Sequence, residues 1–287
     1  MSVSRHPIAL RLEQQVGGAT RLLATVMVLP LVDGIFPALV IAGALTYPFG
    51  IIETGLLIFG GSATVAVILA EMDGSPREQA KAILVLGAVL LPAAAVEAAL
   101  APTIQSALDM AIFPRFAGLV ILTVAAKTAS SRVGEYLPRP AVIIGLGLIA
   151  SVQPGSAELA LTTDAALVAR ATAAAGVGVG FALLVALLGP RLRGAVDLDR
   201  FRFGSSVALG MLALSVLGVM PTDAPVALGV LCVTAVFSFD PDAAGDAVAD
   251  RSAAESEAAV ADGGDADDDA GSSHAYLGEE ESRAPWL

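Results

Sequence analysis

Asp33 is the residue of this sequence with the clearest chemical potential. It lies near the middle of an apolar stretch, Leu22 to Leu45, that reads LLATVMVLPLVDGIFPALVIAGAL. About 20 apolar residues cross a hydrocarbon core about 30 Å thick as a helix, so this stretch is long enough to span a bilayer. At about 1.5 Å per residue, Asp33 sits about 17 Å from either end. A carboxylate at that depth is costly and marks a functional-site candidate. Pro37 has no N–H, so the carbonyl of Asp33 itself loses its helical partner, and Pro30 does the same for Val26. Gly34 lets another backbone approach closely. A carboxylate beside a freed carbonyl offers the oxygen groups that protons and hard cations take. The competing reading is an Asp that is hydrogen-bonded and only locks helix packing.

Four more charges fall inside apolar stretches. Glu53 and Glu97 are secondary acids for transport or ion coupling, and Arg115 and Arg170 are basic candidates. All four lie near the same expected membrane face, about 5–10 Å inside the boundary. They form either a structural ion-pair cluster, with side chains snorkelling to the interface, or an outer vestibule above Asp33.

The chemistry that is missing narrows the field. There is no G-x-x-x-x-G-K-[ST] phosphate loop and no H-E-x-x-H, and the two histidines, His6 and His274, stand in terminal segments. No cofactor, metal site or paired nucleophile and base is expected, so the chain does not read as an enzyme. Gly176-Val-Gly178-Val-Gly180 reads as a surface for close helix packing and not as a nucleotide fingerprint. The single cysteine, Cys232, excludes a disulfide within the chain and reads as a small buried hydrophobe.

The elements that would position these residues are membrane helices. The chain has 287 residues, is 56% hydrophobic, and groups its apolar residues in long runs. This predicts an all-α, polytopic membrane protein of about eight transmembrane helices with an acidic C-terminal tail. The predicted spans are 22–45, 49–70, 82–100, 112–130, 138–153, 166–189, 203–220 and 223–239. Residues 1–21 form an N-terminal segment in which 7–20 suit a short interfacial helix. Arg5, Arg11, Arg21, Arg77, Lys81, Arg132, Arg191, Arg193, Arg200 and Arg202 then fall on one side, and the opposite loops carry no Lys or Arg. The positive-inside rule makes that side, and both termini, cytoplasmic.

Residues 1–239 hold 14 acidic and 14 basic side chains, so the net charge of −12 belongs to the tail, 240–287. Its composition predicts disorder and gives no reason to expect nucleic-acid binding. Tyr276, Leu277 and Trp286 stand out near its end as a docking motif or a solvated terminus. Arginine in place of lysine, with an Asp- and Ala-rich tail, points to a haloarchaeal source. Within the membrane domain, Gly60-Gly61-Ser62 and Pro92 interrupt spans, as in secondary transporters. Ser75-Pro76 reads as a helix start. Asp109-x5-Arg115 and Asp164-x5-Arg170 form the core of a candidate internal repeat.

The run SRHPIALRLEQQVGGATRLLATVMVLPLVDGIFPALV, with the Asp-rich tail, resembles an uncharacterised family of haloarchaeal multi-pass membrane proteins. A fainter likeness, carried by SPREQAKAILVLGAVL and FPRFAGLVILTVAAK, is to the lysine-exporter and tellurium-resistance superfamily. The acidic signature of that superfamily is replaced here by GGSATVAVI. The expectation is a multi-pass protein of the cell membrane whose partners are the lipid bilayer and a small solute or ion, moved by a secondary mechanism. The alternative is a non-catalytic membrane scaffold or interaction protein.

Overall fold

The computed structural model describes residues 18–46, 48–153, 155, 164–220 and 224–240. Among them all regular structure is helical, apart from two isolated bridges, Leu108–Val152 and Val196–Phe239. Most of the expected interfacial helix, and the tail beyond Asp240, lie outside the described residues.

The first apolar stretch forms α1 (Gly18–Val32) and α2 (Ile35–Ile41), broken at Asp33–Gly34. Gly34 has φ 77°, a backbone conformation that side chains with a Cβ resist. The next stretch starts as α3 (Phe49–Thr54) and runs into a π-helical turn, Gly55–Phe59. At Gly60–Gly61 it bends by 52°, then continues as α4 (Ser62–Ala66) and a second π turn, Val67–Glu71. The break expected at Gly60-Gly61-Ser62 is therefore present.

Helix α5 (Pro76–Ser106) opens as the sequence predicts. Ser75 is its N-cap, Pro76 is its first residue, and Glu78 completes a capping box. The Ser75 N–H donates to Glu78 Oε2 at 2.8 Å. The interruption expected at Pro92 does not occur, because α5 continues through both Pro92 and Pro102. The remaining helices are α6 (Phe113–Ala129), α7 (Ser131–Tyr136), α8 (Pro140–Ser151), α9 (Ala165–Leu192), α10 (Leu198–Val216) and α11 (Val226–Phe237).

Among the described residues, three helical stretches are long and apolar enough to cross a membrane: Gly18–Ile41, α5 and α9. The bent pair Phe49–Phe59 with Ser62–Glu71 makes a fourth. The expected eight is not reached, because apolar runs in the sequence include loop residues that the helices do not. Helix α6 has 17 residues, and α8 and α11 have 12 each. The first turns of α10 carry Asp199, Arg200 and Arg202.

Small residues set the packing. Helix α5 lies along α9, α10 lies along α6 and α11, and the Gly55–Phe59 turn rests on α9. The buried residues of α5 include Gly87, Ala94, Ala98 and Ala101, those of α9 include Ala171, Ala175, Gly178 and Ala182, and a Cβ on Gly87 would lie 2.8 Å from Val179 Cγ1. Such residues let backbones approach where lipid provides no hydrophobic drive. A Cβ on Gly55 would lie 2.5 Å from the Ala174 carbonyl oxygen, and one on Gly178 would strike Phe59. Gly176 and Gly180 face open space, so only the middle glycine of the run fulfils the packing expectation. Phe36 and Phe59, both fully buried, pack as a tilted pair with ring centroids 5.0 Å apart and tie α2 to the π turn. Cys232 is exposed on α11, contrary to the expected buried hydrophobe. The apolar run around it is a helix face turned away from the bundle.

Contacts sort the helix ends into two sets. At one, Val196 pairs with Phe239, the Asp240 N–H donates to Ala195, and Gly204 meets Thr234. Arg193 reaches the Met72 carbonyl at the same end. At the other, Leu108 pairs with Val152, and Gly118 meets Leu217. The first is the basic end, with Arg77, Lys81, Arg132, Arg139, Arg191, Arg193, Arg200 and Arg202.

Candidate functional site

Breaks and short helices leave backbone groups without partners, and in an apolar medium each must be met from elsewhere. Several polar side chains of the bundle do this. Thr64 Oγ1 donates to the Phe59 carbonyl at 2.8 Å, across the Gly60–Gly61 bend. Gln105 Nε2 donates to Ile41, at the end of α2, at 3.3 Å. Gln79, 3% exposed, donates from Nε2 to the Met72 carbonyl at 2.8 Å. Arg193 Nη2 donates to the same carbonyl and to Ile68, so a cation closes the C-terminal end of the bent helix. None of Gln79, Gln105 and Arg193 was singled out from the sequence. The available signal was position, since each stands just beyond or at the end of an apolar run.

Glu53 belongs to the same group. It is 9% exposed on α3, and its Oε1 accepts the Leu228 N–H at 2.9 Å. Leu228 is the third residue of α11, whose N-cap, Pro225, makes no side-chain cap bond. A carboxylate from another helix thus caps α11, where the helix dipole favours negative charge.

The two other acids are not used in this way. Asp33 lies half-buried at the α1–α2 break, and among the described residues its carboxylate has no hydrogen-bond or ion-pair partner. Its carbonyl meets no donor either, as Pro37 implied. The competing reading, an Asp that is hydrogen-bonded and only locks helix packing, therefore finds no bond here among the described residues. Glu97, on α5, is half-buried overall, yet its Oε2 is shut off from solvent and meets no hydrogen-bond donor. The hydroxyls of Thr54 and Ser205 are buried without partners as well.

Arg115 and Arg170 are exposed on α6 and α9. Among the described residues, the ion pairs are Arg200–Asp197 at 3.0 Å and Arg202–Asp199 at 3.1 Å. The structure therefore does not join Arg115 and Arg170 to Glu53 and Glu97, and the expected ion-pair cluster is absent. No three His, Cys, Asp or Glu side chains among the described residues converge as metal ligands. The shared Asp-x5-Arg spacing has a local cause. Asp109 Oδ1 accepts the Ala111 N–H at 2.8 Å and Asp164 Oδ1 accepts the Ala166 N–H at 2.9 Å, so each aspartate opens a helical turn at the same end.

A small cavity of about 60 Å³ lies where the two broken stretches meet. Pro30 and Ile35, which flank the Asp33–Gly34 break, line it with Leu57 and Ile58 of the π turn and with Ile121, Val124 and Leu209. Its lining is apolar, so it has no groups to hold water.

The profile of a family of unknown function (DUF5794) matches residues 90–217, from the second half of α5 to the end of α10. The match includes Glu97, Arg115 and Arg170 and leaves out Asp33 and Glu53. It agrees with the resemblance to an uncharacterised family and bears on no exporter. No curated protein and no solved structure matches the chain.

Proposed function

We propose that this chain is an integral membrane protein that moves a small solute or ion by a secondary mechanism, with Glu97 and Asp33 as the coupling acids. One observation carries the reading. While Glu53, Gln79, Gln105 and Arg193 each meet a backbone group, the carboxylates of these two acids lie in stretches long and apolar enough to cross a membrane and meet no partner among the described residues. A carboxylate kept at that cost is a functional candidate by default. The bend at Gly60–Gly61, the break at Asp33–Gly34 and the cavity between them supply the interrupted helices on which alternating access depends.

The test is complementation. A deletion strain is grown across ions, pH and metals to find a sensitive condition, and variants are returned at matched membrane levels. Glu97→Gln and Asp33→Asn should each lose most of the rescue. Full rescue by both would transfer support to the scaffold reading. That second reading is favoured by Glu53, whose carboxylate is fully explained as a helix cap.

The arrangement proposed for the bilayer has the basic end in the cytoplasm. In a Cys232→Ala background, an impermeant thiol reagent added outside should label Ile104→Cys and spare Ser75→Cys and Val196→Cys. The reverse pattern would overturn the orientation.

A further inference from the structure

We propose that the C-terminal segment 274–287 returns to the bundle and docks in the groove between α10 and α11, with Trp286 and Tyr276 in its apolar mouth. The inference is independent of the transport reading. The groove has a volume of about 850 Å³, and Arg200, Phe203, Val207, Val233, Phe237 and Ser238 are among the residues lining it. Its walls are apolar and open. Phe203 is 61% exposed and Phe237 73%, and both stand near the basic end. Arg200 lies at the same end, with its side chain 65% exposed.

Three features select this occupant. The first is reach. The chain leaves the bundle from the wall of the groove itself, since Ser238 lines it and the Asp240 N–H is bonded to Ala195. The 47 residues that follow are tethered within a few residues of the mouth, which makes docking intramolecular and raises its effective concentration.

The second is apolar complementarity. Tyr276 and Trp286 are the only aromatic residues after Phe239, in a stretch otherwise dominated by Ala, Asp, Glu, Gly and Ser. Both types favour the layer between membrane and water, where the mouth of the groove would lie.

The third is charge. Glu279, Glu280 and Glu281 stand between the two aromatics, and Arg200 lines the groove beside Asp199, with Arg202 two residues further on in α10. Each arginine is paired with an aspartate three residues earlier, but a guanidinium has five N–H donors and can take a second carboxylate. A second copy of the chain fits the groove less well. A two-fold contact through α10 and α11 would bring the Arg200 and Arg202 side chains of both copies together at one membrane level.

Trp286 is the only tryptophan in the chain, so its emission reports on this segment alone. The full chain is placed in vesicles of neutral phosphatidylcholine. If docking holds, Trp286 emits to the blue of a synthetic 274–287 peptide in water and is shielded from acrylamide. A docked-to-free ratio of about ten, equivalent to roughly 1.4 kcal/mol, leaves the docked emission dominant. The double variant Phe203→Ala/Phe237→Ala, and separately Arg200→Glu, should move the emission towards that of the peptide. The altered side chains are exposed, and unchanged thermal midpoints verify the fold.

Three results would overturn the inference. In the first, emission in the wild-type chain matches the free peptide. In the second, a blue shift is indifferent to both groove variants, which places Trp286 in lipid. In the third, excess Trp286→Phe chain with an intact groove restores the blue shift of the double variant, which assigns the segment to a neighbouring copy.

Discussion

Replacing Gly55 by alanine will lower the stability of the bundle, whereas the same change at Gly176 will not. Alanine is the better helix former by about 1 kcal/mol, so local preference favours both changes. At Gly55, however, the added methyl would sit 2.5 Å from the Ala174 carbonyl oxygen and 2.7 Å from Val177 Cβ. The first neighbour is backbone and cannot rotate away, so the π turn must lift off α9. Overpacking of this kind costs about 1–3 kcal/mol. At Gly176 nothing lies within 4 Å, and alanine should be neutral or mildly stabilising. Thermal unfolding of both variants in the same detergent and salt checks this. Equal midpoints would mean that the Gly55–Phe59 turn does not rest on α9 as described.

Removing the Glu53 carboxylate is the second large perturbation expected. In Glu53→Ala the Leu228 N–H loses its acceptor, and α11 loses the side chain that caps its first turn. An unmet buried donor costs about 1–3 kcal/mol. Glu53→Gln keeps an oxygen at the same place and should fall only slightly, with function retained. The pair separates a cap from a coupling acid. If Glu53→Gln held its thermal midpoint but failed to complement, Glu53 would rejoin Asp33 and Glu97 as a transport candidate.

Much of the helical plan was legible in the sequence, because it depends on patterns a few residues long. The Ser75 cap, the glycine bend at 60–61 and the freed carbonyl of Asp33 all follow from local backbone chemistry. Helix lengths were less legible. The apolar runs 138–153 and 223–239 include turn residues that pair across the bundle, leaving 12 helical residues in each. The candidate site was read only in part, for the same reason. Sequence places Glu53 and Glu97 at similar depth, but only the fold shows that α11 presents an N–H to Glu53 while Glu97 Oε2 meets nothing. Pro92 misled because a proline removes one hydrogen bond, and α5 packs along most of its length on α9, which holds it in line.

The short helices α8 and α11 also bear on where such a protein can reside. Twelve residues rise about 18 Å, well short of a hydrocarbon core of about 30 Å. The 31 residues of α5 rise about 46 Å, so one bundle presents both a deficit and an excess of hydrophobic length. Were α5 and these short helices to share one bilayer, the long helix would tilt and the lipid beside the short ones would thin, at a fraction of a kcal/mol per ångström of mismatch. Bilayers with shorter acyl chains would reduce that elastic cost.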